Sequence, residues 1–244
     1  MTNVLTLQIT MLLLIFIGAL VKKIKIVSPT GQKNINDLVI YLILPCNIVK
    51  SFMIDCDGNI FKQFGMVFII SIGIQIVSVI LGKILYSKRQ LGHRMSLQYG
   101  LICSNAGFLG NPVAEGVFGS IGLAMASIFL IPQRIMMWSS GIAIYTQSTD
   151  WKATIKKVVT HPCIIACFAG LLLMISQWTP PAIITNTITT IGNCNTAFSM
   201  MVIGMILASK YGCDEIFAVK LVVASTILSM VTIPVWNMIQ SLTG

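Results

Sequence analysis

Polar and helix-breaking residues interrupt an apolar stretch from Cys103 to Gly119, and their chemistry suits ligand binding. The stretch reads CSNAGFLGNPVAEGVFG and holds four glycines, two asparagines, one proline and one glutamate. Proline removes a backbone donor and glycine loosens a helix, so a discontinuous helix is predicted. Broken helices in transporters present backbone amides and dipoles to a substrate near the middle of the membrane. The alternative is a packing kink in which small residues allow close helix contact.

Two further apolar stretches carry a similar short interruption. Pro45-Cys46-Asn47 stands in the middle of LVIYLILPCNIVKSF, and Asn193-Cys194-Asn195 stands near the start of IGNCNTAFSMMVIGMILA. Aligning the two tripeptides also brings Ser51 onto Ser199. The stretches are the second and seventh apolar runs of the chain, so they should cross the membrane in opposite directions. That relationship is typical of inverted repeats.

Some charged residues fall inside or close to apolar runs, and three of them bear on a possible site. Arg134 lies near the middle of its run, where a charge is costly unless it faces a cavity or a partner. It could contact an anionic ligand or pair with Glu115. For Glu115, the alternatives are proton coupling, stabilisation of a helix end, and pairing with a cation. Lys50 is nearer the end of a run, and we expect its ammonium group to reach the membrane surface.

The sequence offers no arrangement of residues typical of an enzyme. His93 and His161 are the two histidines, and neither is spaced with carboxylates or cysteines as a metal ligand. No GxxxxGK[ST] nucleotide-binding motif is present. We therefore expect no enzymatic activity, no cofactor and no metal, and any transport should be secondary rather than driven by nucleotide hydrolysis.

The elements that must position these residues are membrane-spanning helices. Of 244 residues, 56% are hydrophobic and only 9% are charged, against about 25% in a typical soluble domain. The mean hydropathy is +0.89. Apolar runs of membrane-spanning length fall at about 4–21, 37–54, 64–86, 96–117, 121–146, 158–178, 183–208 and 216–240. These values predict an all-α, polytopic membrane protein with about eight transmembrane helices and exclude soluble enzymes and nucleic-acid binding.

Basic residues are sorted between alternate loops. Twelve lysines and arginines lie in the first, third, fifth and seventh loops, whereas Lys62 is alone in the even-numbered loops. Cytoplasmic loops carry the excess of basic residues, so both termini should lie outside the cytoplasm. The short loops favour the plasma (inner) membrane of a bacterium.

Three segments resemble the auxin efflux carrier family. LVIYLILPCNIVKSF is similar to its second span, SNAGFLGNPVAEGVFGSIGLAMA to its fourth, and KYGCDEIFAVKLVVASTILSMVTIPVW to its C-terminal helix. The resemblance implies a secondary carrier of small organic anions, such as auxin in plants or malate-like dicarboxylates in bacteria. It also implies ten spans in two inverted repeats of five, with broken, crossed fourth and ninth helices. The family's substrate-contacting asparagine precedes the crossover proline by seven residues, as Asn105 precedes Pro112 here.

The chain departs from this family pattern after Ala208. Ser209-Lys210-Tyr211-Gly212 follows directly and resembles the approach to the tenth span, so two spans, roughly 60 residues, are missing. We therefore expect a complete five-helix repeat over 1–147 and a repeat shortened to three helices over 148–244. An internal deletion with loss of function, a homodimer that supplies the missing surface, and a compact carrier with a reorganised site are the three explanations.

The sequence favours a secondary transporter of small carboxylates, with alternating access around the broken fourth helix. The alternatives are a non-transporting remnant or interaction partner in the membrane, and a passive channel. Expected partners are the organic anion, a coupled proton or sodium ion, the lipid bilayer and a second copy of the chain, but no nucleic acid. The predicted substrate-binding residues are Asn105, Gly107, Gly110, Asn111, Pro112, Glu115, Arg134, Pro45 and Asn47.

Overall fold

The computed structural model describes residues 2–54, 58–87, 91–104, 106–146, 156, 159–208, 224, 228 and 232, and these residues form helices and turns without a strand. The elements are α1 (Thr2–Lys23), α2 (Pro29–Leu38), a π-helical turn π1 (Val39–Ile43), α3 (Leu44–Ser51), α4 (Gly58–Leu85), α5 (Leu91–Ile102), a second π-helical turn π2 (Ala106–Gly110), α6 (Asn111–Thr146), α7 (Pro162–Ser176), α8 (Ala182–Asn193) and α9 (Asn195–Ala208). The expected all-α fold is confirmed.

Three helical segments among the described residues are long and apolar enough to cross a membrane. They are Thr6–Lys23, Gly58–Leu85 and Leu97–Met137, and α7 is a shorter apolar helix. A polytopic membrane protein is therefore confirmed, while the count of eight spans stays a prediction. Most of the eighth predicted run, 216–240, lies outside the described residues.

Helix α4 shows how these helices are sorted between lipid and protein. Its buried residues are Phe64, Ser71, Gln75 and Gly82, which lie on one face at intervals of seven, four and seven. Large apolar side chains cover the rest of the helix, as at Ile69, which is 71% exposed. The face that packs on protein is thus smaller and more polar than the face left for lipid, as expected for a membrane helix.

Contacts divide the chain into two compact units, 1–36 with 196–244, and 37–195. In the first unit, α1 and α9 pack closely at two glycines. A side-chain carbon on Gly18 would overlap the backbone of Met201, and one on Gly204 would overlap the backbone of Ile15. Without a hydrophobic driving force between helices in lipid, such close backbone contact is a main source of helix association.

The second unit is built around a core shared by α3, α4, α6 and α7. The rings of Phe52 and Phe64 meet edge to face with centroids 6.1 Å apart and planes at 89°. Gly170 on α7 leaves the space that the Phe52 ring occupies. The other core residues include Ile48, Ala124, Ile128, Cys167 and Met174. This core fixes α3 against α6, and Asn47, Lys50, Glu115 and Arg134 lie on those two helices.

The two contact units do not coincide with the predicted repeats, 1–147 and 148–244. A repeat is defined by equivalent stretches of chain, whereas a contact unit is defined by packing. The boundary at 147/148 therefore stays a prediction.

Candidate functional site

The fourth predicted span is interrupted where the sequence indicates. Helix α5 ends at Ile102, Cys103 and Ser104 are not helical, and the chain re-enters a helix as the π-turn Ala106–Gly110. Gln75 of α4 donates from Nε2 to the carbonyl oxygen of Ile102 at 2.9 Å. Side-chain amides from neighbouring helices thus satisfy backbone groups that the interruption releases, as burial in a membrane requires.

Gln133 of α6 supports the same interruption from the other side. Its Nε2 donates to the carbonyl oxygen of Ser104 at 2.6 Å, and its Oε1 accepts from the Ser104 hydroxyl at 3.1 Å. This reciprocal pair, together with Gln75, holds the non-helical segment in a defined conformation. The interruption is therefore stabilised by specific side-chain hydrogen bonds from two neighbouring helices.

The structure describes some, but not all, of the predicted anion-binding residues at this interruption. Asn105 lies outside the described residues, between Ser104 and Ala106. Gly107 and Gly110 belong to π2 and are half-buried. Leu44, at the start of α3, is the nearest neighbour to a side-chain carbon added at Gly107.

A second interruption lies in the predicted second span. The π-turn Val39–Ile43 passes directly into α3, with Pro45 in its first turn. Since proline has no N–H to donate to the preceding turn, the widened turn accommodates the missing hydrogen bond. Pro45 thus marks the start of α3, and the side chains of Asn47 and Lys50 project from one face of that helix.

Asn47 is the centre of a buried hydrogen-bond network. Its Nδ2 lies 3.3 Å from both Glu115 Oε2 and the carbonyl oxygen of Gly192, and its Oδ1 accepts from Asn195 at 3.4 Å. Gly192 makes the approach possible, because a side-chain carbon there would lie 3.0 Å from the Cα atom of Asn47. The network joins α3, α6 and α8 at one position.

The ion pair of this network corrects the sequence-based interpretation of Lys50. Its Nζ lies 2.5 Å from Glu115 Oε1 and 2.8 Å from Asn193 Oδ1, so the side chain turns toward the protein and does not reach for the membrane surface. Glu115 consequently pairs with Lys50 and not with Arg134. The pairing is set by the packing of α3 on α6, and 65 residues separate the two positions.

Asn111 and Pro112 are buried at the start of α6. Asn111 has no exposed surface, and neither its side-chain oxygen nor its nitrogen has a hydrogen-bond partner. Burying an amide without partners costs free energy, about 1–3 kcal/mol for each unsatisfied group. Asn111 thus carries an unsatisfied amide at the point where the π-turn passes into α6.

Arg134 is also buried, at 6% exposure. Its Nη1 lies 3.7 Å from the sulfur of Cys167, while Nη2 has no hydrogen-bond partner and no exposed surface. A thiol is a weak acceptor for a guanidinium group, and a buried charge without a counter-charge is expensive. Among the described residues no carboxylate forms an ion pair with Arg134, which leaves it suited to an anion that is not part of the fold.

A groove between α4 and α6 has a different chemistry. It encloses about 380 Å³ beside Pro132. Its lining residues are Phe68, Ile72, Gln75, Ile76, Val79, Ile80, Pro132, Ile135 and Met136. This nearly apolar surface suits lipid chains and offers nothing to hold a charged substrate.

A protein family matches the part of the chain that holds both interruptions. The model of a family described as membrane transport protein matches residues 3–155, more than half of the chain. The chain belongs to the auxin efflux carrier family. The match covers both interruptions and the Lys50–Glu115 pair. The resemblance seen in the sequence is confirmed, and a transport protein is the function class that the family indicates.

Two curated relatives of this carrier-family chain come from archaea. An uncharacterized transporter of Methanocaldococcus jannaschii is 24% identical over 211 residues, covering 82% of this chain and 67% of the relative. An uncharacterized transporter of Methanothermobacter thermautotrophicus is 26% identical over 187 residues, covering 74% and 60%. The aligned region thus spans about two thirds of the relatives' length.

Four residues that support the interruption or the ion pair of this family member were not among the predicted site residues. Gln75 and Gln133 had a detectable signal, because uncharged amides inside apolar runs must find partners within the protein. Lys50 had one as well, since it follows Asn47 by three residues and shares its helix face. Asn193 was identified as part of a repeat, but its contact with Lys50 depends on how α8 packs against α3.

Proposed function

We propose that this chain is a secondary transporter of small organic anions that carry a carboxylate. The observation that supports it most directly is the helix interruption after Ile102, where the carbonyls of Ile102 and Ser104 accept hydrogen bonds from Gln75 and Gln133. Ordered breaks of this kind place amides and helix dipoles at membrane depth without exposing unsatisfied backbone to lipid. Membership in a membrane transport family agrees with this function.

The proposed substrate contacts combine amides and a guanidinium group. Asn105 and the backbone amides of Gly107–Gly110 would contact the carboxylate, and Arg134 would neutralise its charge. The burial of Arg134 without a carboxylate partner supports this role. Because Nη2 has no exposed surface, the anion reaches it only when the helices move, which alternating access requires in any case.

The proposal includes an orientation in the membrane. Both termini lie outside the cytoplasm of a bacterial cell, with the twelve basic residues of the odd-numbered loops inside. The driving ion is a proton or a sodium ion. Imposing a gradient of each ion alone across a vesicle membrane shows which of the two drives uptake.

A non-transporting membrane protein is the second candidate, and the length of the alignments favours it. The chain spans 67% and 60% of its two relatives, and the junction at 208/209 borders residues outside the described structure. A carrier that lacks the second crossover helix needs a homodimer or a reorganised site to complete its binding surface. A remnant would bind and move nothing.

Uptake into proteoliposomes tests the proposal. Radiolabelled benzoate and malate are suitable probes, and we expect saturable uptake of at least one of them by the wild-type chain. Asn105→Ala and Arg134→Ala should each lower uptake by about tenfold or more, since a hydrogen bond to a charged group contributes about 1.5–3 kcal/mol. Lys83→Ala, which removes an exposed cation at the end of α4, is the control and should leave uptake unchanged.

Each alternative gives a different result in the same assay. Saturable uptake that is unaffected by both Asn105→Ala and Arg134→Ala would overturn the site assignment. Flux that rises linearly with concentration and ignores ion gradients would indicate a channel. The absence of uptake at any concentration would indicate a non-transporting protein.

A further inference from the structure

Lys50 and Asn47 form a ready-made carboxylate receptor. The ammonium Nζ of Lys50 lies 2.5 Å from one oxygen of a carboxylate, and Nδ2 of Asn47 lies 3.3 Å from the other. Both donors belong to α3, three residues apart, so they present one surface. An ammonium and an amide aimed at the two oxygens of one group is the donor arrangement that recognises a carboxylate.

The carboxylate that fills this receptor comes from another helix. It belongs to Glu115 of α6, which is 68 residues from Asn47 in sequence. No other salt bridge occurs within the described part of the chain. The carboxylate bound by Lys50 and Asn47 is thus supplied by a different helix. A carboxylate from solution has the same chemistry as the Glu115 side chain and could bind the same two donors.

The Lys50 side chain of the receptor is partly exposed, whereas Asn47 is only 1% exposed. The side chains of Lys50 and Glu115 are 19% and 24% exposed, whereas Nη2 of Arg134 has no exposed surface. An ammonium group has three N–H donors, and Glu115 Oε1 and Asn193 Oδ1 take two of them. The Lys50 ammonium thus keeps one N–H for a further acceptor while both of its present contacts remain.

We infer that Lys50 is the first cationic contact for the substrate's carboxylate, and that Glu115 is the resident carboxylate which the substrate replaces. This inference rests on the proposed function, since it assigns a recognition step to the same carrier. The exchange makes and breaks hydrogen bonds only. The incoming carboxylate takes the donors of Lys50 and Asn47, and the partly exposed Glu115 side chain turns to water.

The exchange gives Glu115 a defined role in selectivity. A ligand binds only if its interaction with Lys50 exceeds that of the Glu115 carboxylate, so neutral amides and esters of the same acid should not enter. When Glu115 leaves Lys50, the link between α3 and α6 is released. Substrate binding is thereby coupled to the packing of the two interrupted spans.

Two single variants and their combination test this inference. Lys50→Met removes the ammonium but keeps the length of the side chain, and Glu115→Gln removes the competing charge but keeps its shape. Benzoate and benzamide serve as charged and neutral probes. The readouts are benzoate uptake in proteoliposomes and the shift in unfolding temperature that benzoate causes in detergent-purified protein. Lys83→Met is the matched control.

The expected pattern has opposite signs for the two members of the pair. Lys50→Met should weaken benzoate binding about tenfold or more, since it removes a hydrogen bond to a charged group. Glu115→Gln should strengthen it several-fold, and benzamide should cause no shift in either protein. The double variant removes both charges, so it should fold and still fail to bind. Its folding separates lost recognition from the damage caused by an unpaired charge.

The outcomes distinguish this inference from the proposed function. Benzoate uptake and binding that are equal in wild type and Lys50→Met would overturn the role of Lys50 while leaving the carrier intact. A Lys50-dependent thermal shift without uptake would support the receptor and count against transport. A wild-type protein that neither takes up benzoate nor is stabilised by it would overturn both. Weaker binding in Glu115→Gln would show that Glu115 holds the site together and does not compete for it.

Discussion

Asn195 donates a hydrogen bond from Nδ2 to Oδ1 of Asn47 at 3.4 Å, and so joins the interruptions of two spans that the sequence alignment treats as equivalent. Each side chain is 1% exposed. Residues that an internal repeat makes equivalent meet where the two copies face each other. The contact joins Pro45-Cys46-Asn47 to Asn193-Cys194-Asn195, and their equivalence in an inverted repeat stays a prediction.

Gly192→Ala should destabilise the protein at this contact. The added carbon would lie 3.0 Å from the Cα atom and 3.1 Å from the nitrogen of Asn47, so α8 must move away from α3. We expect a loss of about 1–3 kcal/mol, typical of overpacking, measured by thermal unfolding in detergent. Gly73→Ala on α4 has open space around the new carbon and should be neutral or slightly stabilising. Equal unfolding temperatures for the two variants would contradict this close packing.

Gly204→Ala should separate α1 from α9. The new carbon would overlap the backbone oxygen of Ile15, and a backbone atom cannot rotate away as a side chain can. We expect a loss of stability at least as large as that of Gly192→Ala. Protease sensitivity of α1 is a second measurement, because a released first helix becomes easier to cleave. A fully stable Gly204→Ala protein would show that these helices do not pack through glycine.

Gln133→Leu should weaken the helix interruption of the fourth span. The substitution leaves the carbonyl oxygen of Ser104 without the donor that now lies 2.6 Å away. Because this hydrogen bond is only partly buried, its loss should cost about 0.5–1.5 kcal/mol, which thermal unfolding can measure. Gln98→Leu is the matched control, because the Gly82 carbonyl that it contacts also accepts from the backbone of Tyr86. If both variants lose the same stability, the amide of Gln133 has no special role at the break.

Gly119→Ala should strain the kink within α6, between the fourth and fifth predicted spans. Gly119 has φ 65° and ψ −154°, a conformation that is essentially restricted to glycine. No atom lies within 4 Å of an added carbon, so the cost of about 1–3 kcal/mol would come from backbone strain alone. Thermal unfolding checks it against Gly73→Ala, and a neutral Gly119→Ala would indicate that the chain can turn in another conformation.

The sequence determined the features of this protein that depend on neighbouring residues. A long apolar run must form a helix in a membrane because backbone groups cannot stay unpaired in lipid, and this predicted α1 and α4. Proline and clustered glycines break a helix wherever it lies. The interruptions near Pro45 and at 103–110 were therefore predictable from their own residues.

The tertiary structure alone decided which charged and amide groups meet. From the sequence alone, Glu115 could pair with Arg134 or stabilise a helix end. The rotation and packing of α3 against α6 place it beside Lys50 instead. The same packing buried Arg134 beside Cys167, away from any described carboxylate. Hydropathy predicts how deep a residue lies in the membrane, but it does not determine the direction in which its side chain points from the helix. That direction depends on contacts between residues far apart in the chain.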